Sequence, residues 1–131
     1  MNSALFAKAN SVMPITGVDF TDKEGYLLKV TAGVPALNNS KTVPAQLVVL
    51  DGGTAAENSS VAALGKTPPV RLKAGGAIAF GDRLVQNDDG TVITDPGAGT
   101  ARVLVGVCLE PAGAAAGDLF LADLWSPSIA A

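Results

Sequence analysis

Short apolar runs closed by glycine, proline or an Asp-Gly pair follow one another along this chain, and they outnumber any helical pattern. Residues 26–31 (Tyr-Leu-Leu-Lys-Val-Thr) and 46–50 (Gln-Leu-Val-Val-Leu) read as strands, and Pro35, Asn38-Asn39-Ser40 and Pro44 write a loop between them. A polar, glycine-rich connection runs from Asp51 to Ser60, and residues 61–64 are too short a run to classify. Pro68-Pro69 excludes a helix, and 70–73 alternates as a strand does. Strand-like runs then fall at 77–80, 83–86, 92–94, 102–109 and 119–125. The Asp89-Gly90 pair between Leu84-Val85 and Val92-Ile93 is the clearest hairpin signal, because glycine supplies the positive φ that a tight turn needs. The spacing predicts a mainly β chain, a small single-domain barrel or sandwich with little helix. Helix is expected at most in the first segment, where Leu5, Ala9 and Val12 could share a face, and within 55–64.

At 131 residues the chain is the size of one domain. Residues 1–14 show no sustained period and read as an extended N-terminal arm, which leaves 15–131 as the β-rich domain. Hydrophobic residues make up 48% of the chain but aromatic ones only 5%, and much of the apolar content is alanine, so the core is thin. Thin cores are often completed by neighbouring subunits, which favours an oligomer. Up to Gly75 seven cations face five carboxylates, a balance of +2; beyond it two face seven, a balance of −5. Opposite signs allow the halves to complement each other between subunits, although solvated surface charge accounts for the same numbers. No basic cluster exists to neutralise several phosphates, so nucleic acid is not expected as a partner. No apolar stretch approaches the ~20 residues of a membrane span, and residues 1–10 lack the features of a signal peptide, so a soluble protein made in a cytoplasm is expected.

The chemistry-bearing motifs are weak. The chain has no histidine, which removes a Ser-His-Asp set and a histidine-ligated metal site. Its carboxylates fall in turns rather than in a paired arrangement. Cys108 sits in an apolar run and reads as a small buried hydrophobe. Residues 60–67 resemble a phosphate-binding loop, but serine replaces the first glycine and two prolines follow where a helix must start. Asn87-Asp88-Asp89-Gly90 matches a calcium loop only in a frame that puts Val85 at the first ligand position, so a hairpin turn is the better reading. Thr21-Asp22-Lys23 matches three residues of the lysine-presenting turn of lipoyl domains, with Phe20 and Glu24 departing from that pattern. Asn38 and Asn58 open glycosylation patterns that read as polar loops in the absence of a secretion signal. No catalytic residue, cofactor or metal is expected.

Residues 23–30, followed by Val70 to Val85 with its Gly81-Asp82 pair, are similar to the capsid decoration (cement) proteins of tailed bacteriophages. In that family an Asp-Gly turn, a Val-Gly-Val strand, an Ala-Gly turn and a final Gly-Asp pair follow in order. Asp88-Asp89-Gly90, Val105-Gly106-Val107, Ala112-Gly113 and Gly117-Asp118-Leu119 occupy those places. The resemblance implies a non-enzymatic β subunit, commonly a homotrimer, bound to the major capsid protein on the outer surface of the virion. It would sit at threefold or quasi-threefold positions and hold the expanded shell against genome pressure. Other readings are a small β component of a tail or head-completion assembly, and a lipoyl-like carrier or sugar-binding module. For the decoration reading the apolar residues of the first segment, Leu5, Phe6, Val12, Met13, Pro14 and Ile15, are the expected capsid contacts, since free apolar arms often become ordered on a partner.

Overall fold

The computed structural model describes residues 12–65 and 68–131, and among these every regular element is a strand. Ten strands form two antiparallel sheets. The first holds β1 (Val12–Ile15), β2 (Leu27–Thr31), β3 (Val34–Leu37), β4 (Leu47–Asp51) and β5 (Ser59–Ala63) in the order β1-β5-β4-β2-β3. The second holds β6 (Val70–Lys73), β7 (Arg83–Gln86), β8 (Val92–Thr94), β9 (Arg102–Cys108) and β10 (Leu119–Ala130) in the order β6-β10-β9-β7-β8. The fold is thus a small all-β sandwich.

The core lies between the sheets. Leu27, Val48, Ala62 and Leu64 of the first meet Leu72, Leu84, Val92, Val103, Val105, Cys108, Phe120, Ala122 and Leu124 of the second. Period-2 alternation explains why: Phe120, Ala122 and Leu124 point inward while Leu119 and Leu121 point out. Cys108 is fully buried, as its apolar run predicts, with its thiol directed at the Glu110 carbonyl. The first sheet is buried on its other face as well. Leu28, Val49 and Val61 form a second cluster under Phe20, with Ile15, Val18, Leu37 and Leu47 at its margin. Strand β4 and the first two residues of β2 therefore read as continuous apolar runs, the pattern of a strand covered on both sides.

Four sequence expectations need correction. Residues 34–37, read as loop, form β3. It is joined to β2 by a two-residue turn in which Ala32 (φ 52°) and Gly33 (φ 80°) are both left-handed, the geometry that matches hairpin twist. Pro35 is tolerated because β3 is an edge strand and its partner Val30 turns its own N–H away, to Gln46 Oε1 at 2.9 Å. Ser59 and Ser60 belong to β5, in the 55–64 stretch considered for helix; the buried Ser59 hydroxyl is satisfied by the Gly53 N–H at 2.9 Å. Residues 77–80 make only a single bridge, Ile78 to Ala114, because the Asp82 carboxylate accepts the Ala79 N–H and Gly81 (φ 82°) turns the chain. Strand β10 passes its expected end at Trp125 and reaches Ala130, since an irregularity between Leu124 and Ser128 absorbs Pro127. Strands β6, β7 and β8 fall on the expected residues.

The charge split is also redrawn. Arg71 and Lys73, counted with the first half, lie on β6 of the second sheet. Divided between the sheets at residue 67, the first part has five cations and five carboxylates and the second four and seven, so the halves stand at 0 and −3 rather than at opposite signs.

The Val-Gly-Val run of β9 has a steric cause. A Cβ on Gly106 would lie against the backbone carbonyl of Asp123 on β10, and the pairing of β9 is irregular on both sides there, after Leu84 and after Leu124. Gly106→Ala is therefore expected to destabilise the fold by about 1–3 kcal/mol through backbone displacement, read as a lowered urea midpoint. An unchanged midpoint would show that β10 moves aside freely.

Candidate functional site

The expected capsid contacts divide at the first described residue. Leu5 and Phe6 lie outside the described residues. Val12, Met13, Pro14 and Ile15, which straddle the expected arm boundary, form β1 along the outer side of β5, with Val12 opposite Ala62 and Ile15 opposite Ser59. Ile15 turns toward the cluster under Phe20, while Val12 and Met13 remain about two-fifths exposed. Strand β1 is thus an edge strand of the first sheet.

Beneath β1 the loop 17–25 seals the first sheet. Gly17 and Phe20 donate to the carbonyls of Ala55 and Gly53 at 3.1 and 2.9 Å, and Gly25 donates to Val49 at 2.8 Å. Asp19 accepts both the amide and the hydroxyl of Thr21, and these two bonds lower its carboxyl pKa. Lys23 folds over the Tyr26 ring, 5.0 Å from its centre.

A cleft of about 340 Å³ opens where the sheets part, lined by Glu24, Gly25, Leu50, Val70, Arg71 and Leu119. Its floor is apolar, and its two charged groups are Glu24 of the loop before β2 and Arg71 of β6. The outer face of the second sheet continues from it as a half-exposed stripe through Leu119 and Leu121, flanked by Arg71 and Lys73 across the β6 register. Sequence reasoning did not separate Leu119 and Leu121 from the core, because their buried neighbours Phe120 and Ala122 are apolar too.

The remaining motifs resolve into structure. Asn87-Asp88-Asp89-Gly90 is the β7–β8 turn, in which the Asp89 carboxylate accepts the Thr91 amide and hydroxyl. Ser60 to Ala63 of the phosphate-loop resemblance lie in β5, whereas Lys66 and Thr67 fall outside the described residues. Asn38 is fully buried and Asn58 is exposed. Among the described residues no three metal-ligating side chains cluster.

The two sheets are bound by polar groups as well as by the core. Gln86 is buried; its Oε1 accepts the Ala45 amide at 2.6 Å, and its Nε2 donates to the carbonyls of Ser40 at 3.0 Å and Val43 at 2.8 Å. Across the second sheet, the buried Arg102 pairs with Asp95 and donates to the carbonyls of Thr100 and Ala131, both at 3.2 Å. The Gly97 amide, together with Arg102, holds the Asp95 carboxyl below its usual pKa against the opposing effect of burial.

No protein-family model matches the chain, and no curated protein matches it. Among solved structures it is similar to the N base of the head fibre protein gp8.5 of bacteriophage phi29, at 19% identity and a TM-score of 0.53, over 86% of this chain and 92% of that one. At that identity the likeness shows a shared fold.

Proposed function

We propose that this protein is a non-enzymatic structural component of a tailed-phage virion. It binds the major capsid protein on the outer surface of the expanded head as a homotrimer and stabilises the shell against genome pressure. The observation that carries the reading is the two-sheet fold shared with the base of a phage head fibre over nearly the whole of both chains. The ordered Gly-Asp, Asp-Gly, Val-Gly-Val and Ala-Gly elements support it, because each occupies a turn or a close approach that the fold requires: the Asp82 turn, the Asp89-Gly90 hairpin, the Gly106 crossing and the Gly113 turn against Ile78.

Attachment is assigned to Leu5, Phe6, Val12, Met13, Pro14 and Ile15, the last four of which form the edge strand β1. Ordering such a segment costs on the order of 1 kcal/mol per residue, so one arm binds weakly. Three arms on one trimer act at high effective concentration, with an expected gain of ~100-fold or more. The test mixes the full chain, and a variant lacking residues 1–11, with expanded and unexpanded heads. The deletion stops before Val12 because β1 begins there. The full chain is expected to co-sediment saturably with expanded heads, and the truncated chain to keep its fold but lose most of that binding. A full chain that binds neither form of head overturns the reading.

A further inference from the structure

Strand β6 is an outer strand of the second sheet, and its pairing leaves one residue open. The Ala74 amide donates to the Asp118 carbonyl of the chain entering β10 at 2.9 Å, so in the antiparallel register Ala74, Leu72 and Val70 turn their backbone groups toward β10 while Lys73 and Arg71 turn theirs away. The Lys73 amide accordingly donates to Gly25, in the loop before β2, at 3.1 Å. Gly25 reaches this position because it is glycine: its φ is 81°, and a Cβ there would lie against the Lys73 nitrogen. Past Gly25 the loop makes no bond to Arg71, and among the described residues nothing pairs with the Arg71 backbone N–H or C=O.

The open position borders the apolar cleft between the sheets. Leu50 and Val70 of that cleft pack against the main core, so an aliphatic side chain entering it would extend the core outward. Arg71 and Lys73 share the outer face of β6, beside Leu121 and Leu119 of β10. The ion pairs among the described residues are those of Asp95 with Arg83 and Arg102, so neither Arg71 nor Lys73 is neutralised by one. Glu24 also lines the cleft and would repel a carboxylate placed inside it, which confines an incoming acid to the Arg71 side.

We infer that the β6 edge receives an extended acidic segment of a different protein as an added strand. The main chain of that segment bonds the N–H and C=O of Arg71. Directly opposed residues on neighbouring strands share a face, so the residue opposite Arg71 is a carboxylate that meets the guanidinium, and the next one, opposite Val70, is aliphatic and enters the cleft. The outer strands of a second copy do not fit this position. Another β6 would bring Arg71 and Lys73 against the same two cations, and β1, β3 and β8 carry no carboxylate. Pro14 and Pro35 further deprive β1 and β3 of a main-chain donor. The inference goes beyond head attachment and does not depend on it.

Amide exchange and chemical-shift titration of the full chain by NMR test this. Without a partner, the Arg71 amide is expected to exchange much faster than that of Leu72, which β10 holds. The probe is an end-capped peptide that alternates valine and aspartate. It should shift the resonances of Leu50, Val70 and Arg71 and slow exchange at Arg71 by about ten-fold or more, whereas a peptide alternating valine and lysine should bind about ten-fold more weakly. Arg71→Glu with Lys73→Glu should reverse that preference, and binding of the lysine peptide then also shows that the variant folds. An Arg71 amide as protected as Leu72 in the unbound chain, an aspartate peptide that leaves the cleft resonances unmoved at millimolar concentration, or a preference unchanged by the reversals would overturn the inference. No head particle enters this experiment, so its failure leaves the proposed function standing, and a failure to bind heads leaves this inference standing.

Discussion

Arg102→Met is expected to lower the free energy of unfolding by about 3–5 kcal/mol, a large share of what a domain of this size has. The substitution leaves the aliphatic packing in place and removes the charge. Asp95, whose side chain is only 6% exposed, then keeps only the Gly97 amide and the solvent-facing Arg83 guanidinium, paired with it at 3.3 Å. The carbonyls of Thr100 and Ala131 lose their donor as well, so the end of β10 should fray from β9. Chemical denaturation measures the loss; a change below 1 kcal/mol would mean that water replaces the guanidinium. The same pair sets an acid limit. Because the folded Asp95 pKa lies below its unfolded value, its contribution is complete above the unfolded carboxylate range near pH ~4 and is lost as pH falls through the folded value. The stability difference between wild type and Asp95→Asn should therefore be largest at neutral pH and shrink in acid.

Gln86→Leu is expected to cost about 2–4 kcal/mol although it puts an apolar side chain into an apolar core. The volume is nearly kept, but the buried Ala45 amide loses its partner at about 1–3 kcal/mol, and the Val43 carbonyl of the exposed loop loses its donor as well. The Ser40 carbonyl keeps the Asn38 Nδ2 donor at 2.8 Å, so it adds little. Amide exchange at Ala45 should accelerate well beyond that of the β4 amides in the same variant. Equal acceleration throughout would show global loosening instead.

The strands that were legible in the sequence are those whose two faces differ or whose turns are specified by a single residue. In β6, buried Leu72 alternates with exposed Arg71, and Asp89-Gly90 fixes the β7–β8 register. Strand β3 was hidden because its turn uses Ala32 rather than asparagine or a second glycine, and because Pro35 argues against any strand but an edge one. Strand β5 was hidden by its serines, one of which is buried only because Gly53 reaches it. The second cluster under Phe20 could not be foreseen, since nothing in residues 17–25 says that the loop folds back onto the sheet. Charge counted along the chain misled, because β6 crosses to the second sheet with its two cations. Of the expected capsid contacts, Val12 to Ile15 carry a period too short to reveal a strand that exists only by pairing with β5.

The copy number of this chain per purified virion, measured by quantitative mass spectrometry against the major capsid protein, tests the central claim most directly. A decoration protein is predicted to be present in a fixed and high proportion, with three copies at each occupied threefold or quasi-threefold position, and to be lost from particles when residues 1–11 are removed. A virion without the chain, or with only the few copies that a single tail or portal holds, would contradict the account.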